Sequence, residues 1–75
     1  MNSEIIRELD KILPVVVRVH GPNHPELSQV AELYSQLKQG QDVSAALRQV
    51  TQDFTVPSDA CPTFEKVYRD LSQLV

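Results

Sequence analysis

Seventy-five residues, 41% of them hydrophobic, suit one small domain and argue against a disordered chain. Ten acidic and seven basic residues leave a net charge of −3, which excludes a generally basic binder of nucleic-acid phosphates. The single cysteine excludes an internal disulfide and therefore a disulfide-stapled miniprotein.

Taken in chain order, the apolar spacing is helical almost throughout. Ile5, Leu9, Ile12, Leu13, Val16 and Val19 recur at intervals of three and four and predict one face of a first helix. Asn2 or Ser3 can cap it, because a side-chain oxygen there accepts from the free N–H groups of the first turn. Pro14 lies inside this run. Its ring removes one backbone hydrogen bond, so a kink is expected near Asp10–Leu13. The β-branched Val15-Val16-Val17 would suit a strand, but no second strand exists to pair with it.

Gly21-Pro22 ends the first helix, and Pro25 suits the first turn of a second, with Leu27, Val30, Ala31, Tyr34 and Leu37 as its apolar stripe. Gly40 falls where a left-handed C-cap belongs. A third helix is expected from Asp42 or Ser44, turning Val43, Ala46, Leu47, Val50 and Phe54 inward. Thr55-Val56-Pro57-Ser58-Asp59 reads as a turn-forming linker. Pro62 then opens a fourth helix with Phe64, Val67, Tyr68, Leu71 and Leu74 inward. Short connections favour antiparallel neighbours. The expectation is an all-α single domain over residues 1–75, a small up-and-down bundle of three to four short helices with the first kinked at Pro14.

The start Met1-Asn2-Ser3-Glu4 is acidic and has no basic region leading into an apolar stretch. The most apolar run, Ile12 to Val17, falls far short of the ~20 residues that span a bilayer. A cytoplasmic chain without membrane or nucleic-acid partners is expected.

Both histidines stand in one unusual segment, Val19-His20-Gly21-Pro22-Asn23-His24-Pro25-Glu26-Leu27. Imidazole nitrogen ligates iron and zinc, so His20 and His24 are candidate metal ligands. Gly21, Pro22 and Pro25 interrupt the single helix that would bring both rings to one face. His20 is expected to end the first helix and point along its inward face, and His24 to cap the second from outside. In the plainer reading, His20 is a hydrogen-bonded residue at the negative end of its helix and His24 a capping residue. Cys61, beside Pro62, stands at the start of the fourth helix. The positive end of a helix favours thiolate, which makes Cys61 a candidate reactive thiol or third metal ligand, with Asp59 opposing that effect. The alternative is a small packing residue. No glycine-rich phosphate loop, His-Glu-x-x-His motif or nucleophile–base pair is visible, so a stand-alone enzyme is not expected. Glu4, Glu8 and Lys11 are spaced for surface pairing along the first helix.

Leu13-Pro14, Arg18-Val19-His20-Gly21 and Asn23-His24-Pro25-Glu26-Leu27 together resemble a segment of the hemerythrin-like di-iron proteins that repair iron–sulfur clusters. Short stand-alone relatives in Gram-positive bacteria are more similar, and they share a stretch like Thr55-Val56-Pro57-Ser58-Asp59, Cys61-Pro62-Thr63-Phe64-Glu65 and Val67-Tyr68. That resemblance covers most of the chain and implies a role in iron–sulfur repair or in nitrosative and oxidative stress defence. It implies His20 as the foremost functional histidine, His24 as the second, and iron as the cofactor. Long members supply further histidines and a His-x3-Glu helix that this chain lacks. Iron would then be held with carboxylates such as Glu26, with Cys61, or across a homodimer. The competing reading is a metal-free helical interaction or dimerisation module, with Val15, Val17 and Val75 as leftover apolar surface.

Overall fold

The computed structural model describes residues 2–75. Four helices follow in order: α1 (Ser3–His20), α2 (Glu26–Lys38), α3 (Ser44–Val50) and α4 (Pro62–Leu74), with no strand among the described residues. Asn2 caps α1, its Oδ1 accepting from the N–H groups of Glu4 and Ile5 at 2.9 and 3.2 Å. Pro14 sits inside α1 without ending it. Lacking an N–H, it returns no hydrogen bond to the Asp10 carbonyl.

At the other end of α2, Gly40 adopts φ +92°, and two backbone bonds, Gly40 N–H to Leu37 O and Gln41 N–H to Gln36 O, close a Schellman turn. A residue with a β-carbon would be strained there, which is why glycine occupies the position.

The helices stack as an up-and-down bundle. α1 packs on α2 and on α4, and α2 packs on α3. The antiparallel register of α1 and α2 is fixed by Tyr34, whose hydroxyl donates to the Ile6 carbonyl at 3.0 Å and the Asp10 carboxylate at 2.8 Å. Lys38 donates to the same carboxylate at 2.9 Å, and chiefly this bond holds Asp10 below the usual carboxylate range. Burial and the Asp10 acceptor together push the Tyr34 hydroxyl well above an ordinary tyrosine. The core is Leu9, Leu13 and Val16 from α1, Leu27, Val30, Tyr34 and Leu37 from α2, Val43 and Leu47 around α3, and Phe64, Val67, Tyr68 and Leu71 from α4. Buried Asp70 is paired with Lys66 at 2.8 Å, one turn away on the same helix.

Several expected inward positions turn out differently. Val19 is 60% exposed and Ala46 is exposed, so the inward stripes of α1 and α3 are narrower than their spacing implied. Val15 is exposed as expected, whereas Val17 and Val75 pack against the core. α3 stops at Val50 and does not reach Phe54. Gln52, Asp53 and Phe54 all adopt positive φ, and Thr51 Oγ1 accepts from the Phe54 N–H at 3.0 Å in place of a continuing helical bond. This left-handed corner still delivers Phe54 to the core, edge-on to Tyr68. Of the α1 charges spaced for pairing, Glu4, Glu8 and Lys11 form no ion pair among the described residues.

Candidate functional site at the α1–α2 junction

α1 ends at His20, and α4 runs antiparallel to it, which sets the N-terminus of α4 beside the C-terminus of α1. Cys61 is the N-cap of α4, with Pro62 next at the first helical position, where a missing N–H has no effect on the helix. The Cys61 Sγ accepts from the Phe64 N–H at 3.4 Å and lies 3.2 Å from the His20 Nε2. In the thiol form it can take the first bond while donating its own proton to a neutral His20 ring. The structure therefore joins two of the three candidate residues, one from each end of the sequence. Both are half-buried.

Between His20 and α2 the chain is wound by backbone bonds. The His20 carbonyl accepts from Asn23 N–H at 3.1 Å and His24 N–H at 2.8 Å, and the Gly21 carbonyl accepts from His24 N–H at 3.1 Å. His24 is thus delivered close to His20, yet its ring is engaged elsewhere. Its Nδ1 donates to Glu26 Oε1 at 3.2 Å, and its Nε2 to Asp59 Oδ1 and Oδ2 at 2.8 and 2.9 Å. Two carboxylates on two nitrogens hold the imidazolium form. The Asp59 hydrogen bond is the main cause of the raised His24 pKa, and His24 in turn lowers that of Asp59.

His24 is therefore more than an outward cap. It ties the linker before α4 to the first turn of α2. Phe64, fully buried, lies beneath both histidines, its ring edge-to-face with His20 at 5.0 Å and with His24 at 5.4 Å between centroids. Tyr68 completes this wall, 5.0 Å from Phe64, and burial with the nearby Glu26 charge pushes its hydroxyl up to about 12.

Glu26 was legible as a carboxylate near the histidines, but the part played by Asp59 was not. A Ser-Asp pair in a proline-containing turn signals a turn, and only the fold brings residue 59 onto residue 24. Phe64 was legible only as core.

A di-iron centre needs several histidines and carboxylates facing one another inside the bundle, and the residues present do not fit one held by a single chain. The interior is filled by leucine, valine and aromatic side chains, and the carboxylates already occupy both His24 nitrogens. Among the described residues no three His, Cys, Asp or Glu side chains are grouped to hold a metal ion. Nor does a surface depression of about 660 Å³ between α2 and α3 carry a histidine or cysteine in its lining of Ser28, Gln29, Glu32, Leu33, Ala46, Gln49 and Val50. No described helix is long and apolar enough to cross a membrane. No family model and no solved structure matches the chain.

The His24 clamp has a definite pH signature. Its raised pKa stabilises the fold fully below the ordinary imidazole value of 6.5, and that contribution is lost as pH rises through the higher folded value. The lowered Asp59 pKa has the opposite sense, contributing above 3.8 and failing as pH falls through the folded value. The stability difference between wild type and His24→Gln, read from urea unfolding, is expected to be greatest between these limits and to shrink at alkaline pH. A difference that stays flat from about pH 5 to about pH 9 counts against the clamp.

Proposed function

We propose that this chain is a small accessory protein of iron–sulfur cluster repair, of the kind its resemblance implies, and that its working group is the His20–Cys61 pair acting as a two-donor half-site for ferrous iron. The observation that carries this reading is the 3.2 Å separation of His20 Nε2 and Cys61 Sγ. With the distances zinc takes, about 2.0–2.1 Å to imidazole and about 2.3 Å to thiolate, a tetrahedral ion holds the two atoms about 3.5 Å apart. The pair needs to open by only a few tenths of an ångström. One nitrogen and one sulfur donor suit ferrous iron or zinc better than a hard ion such as magnesium.

The test is anaerobic equilibration of the reduced protein with ferrous iron, followed by removal of unbound metal and quantitation. Wild type is expected to retain iron, while His20→Ala and Cys61→Ser each lose most of it and His24→Gln keeps it. Equally negligible iron in wild type and both ligand variants would end the reading.

A metal-free interaction module is favoured by a different observation, the exposed Val15 and Val19 on one stripe of α1, 42% and 60% accessible. That reading predicts concentration-dependent association in the presence of a chelator, read by sedimentation in the same preparations.

A further inference from the structure

Two protein donors do not complete a tetrahedral site, and this chain has no third histidine or second cysteine to add. His24 cannot supply a ring nitrogen without giving up Glu26 or Asp59, and Asp59 is held by His24 through both of its oxygens. The missing donors must come from outside the chain.

Resting on the half-site reading above, we infer that the His20–Cys61 pair of one molecule meets the same pair of a second copy about a twofold axis, so that four side chains hold one divalent ion in a tetrahedral N2S2 site between two chains. Three features lead to a second copy as the occupant. The pair lies at one end of the bundle, where α1 stops and α4 starts, and both side chains are half-buried, so a partner can approach them. A twofold contact is self-complementary, and it doubles one histidine and one cysteine into the Cys2His2 set that tetrahedral ions take. The apolar area to frame such a contact is also present. Val19 directly precedes His20, and Val15 lies one turn earlier on the same stripe, both exposed. These valines have no role in the core, and a second copy lying against the end of α1 would cover them.

The charge and proton balance are simple. Each Cys61 thiol releases its proton to solvent on ligation, both His20 rings bind as neutral imidazoles, and two thiolates neutralise one divalent cation. No oxidant or reductant is needed.

The experiment titrates the reduced full-length chain with Co(II), whose tetrahedral thiolate complexes absorb strongly, and follows absorbance and sedimentation together. Expected are a monomer in chelator and a dimer at one ion per two chains, with thiolate-to-metal absorption. Cys61→Ala and His20→Gln, each confirmed folded by circular dichroism, are expected to stay monomeric and lack that band. Val19→Asp, which leaves both ligands in place, should raise the Co(II) concentration needed for dimerisation. A monomer carrying one ion of its own, with the same band and the same dependence on His20 and Cys61, would overturn the shared site while leaving the half-site intact. A dimer equally populated in chelator would overturn the metal's part in assembly. No uptake by wild type would overturn the half-site itself.

Discussion

Phe64→Ala is expected to abolish the cooperative unfolding transition. Phe64 is the largest fully buried side chain, and it packs against His20, His24 and Tyr68 at once. Truncating a buried phenylalanine costs about 3–5 kcal/mol, from lost transfer energy and the cavity left behind. A chain of this size commands only about 3–5 kcal/mol in total. The variant should show reduced helical circular dichroism at 25 °C and a broad, non-cooperative melt. A sharp transition within a few degrees of wild type would mean that the aromatic wall contributes little. Phe64→Leu separates fold from site, because leucine keeps most of the buried apolar volume and so costs less than truncation to alanine, while removing both ring-edge contacts to the histidines. It is expected to fold and, on the proposed half-site, to take up metal at His20 and Cys61 less tightly.

Phe64 also marks the boundary of what the sequence makes legible. Its place on an inward helical stripe follows from spacing, as do those of Leu9, Leu27 and Leu71 and the all-helical class, while residue type marks a cap at Asn2 or Ser3, of which the structure uses Asn2, the Gly40 terminus and the start at Pro62. Periodicity reports which face of a helix is apolar. It does not report which neighbour covers that face, and this is why Val19 and Ala46 were expected inside and lie outside.

The site divides in the same way. His20, His24 and Cys61 stand out by scarcity and by their positions at helix ends, but their partners come from tertiary structure. His20 meets Cys61 across forty-one positions, and His24 meets Asp59 across thirty-five. Nothing local to residue 59 distinguishes it from any other aspartate in a turn. The early stop of α3 was hidden for a related reason. Thr51 competes for the backbone through its own hydroxyl, donating to the Leu47 carbonyl and accepting from Phe54 N–H, and three residues without glycine then accept left-handed geometry.

Gly21→Ala tests whether this junction positions the histidine or merely connects two helices. Gly21 has φ −52° and ψ −42°, a conformation open to every residue, and replacing glycine by alanine in such a place ordinarily stabilises by about 0.4–1 kcal/mol. The local packing reverses that sign. A β-carbon at residue 21 would lie 2.3 Å from the Val17 carbonyl oxygen, the atom that accepts the Gly21 N–H at 2.9 Å. A backbone atom inside a helix cannot swing away as a side chain could, so the last turn of α1 must shift. The expected cost is about 1–3 kcal/mol, the range for forcing extra atoms into a packed region. The shift falls on His20, whose carbonyl receives both Asn23 N–H and His24 N–H. On the proposed half-site, metal retention by His20 and Cys61 should therefore fall together with stability. Gly40→Ala is the matched control. It is strained by its φ of +92° but has open space around the added carbon, and it lies at the far end of α2 from the histidines. Both variants should unfold at lower urea than wild type, but only Gly21→Ala should lose metal under conditions where each remains folded. Equal retention in the two would mean that the close approach at residue 21 shapes the turn without setting the ring.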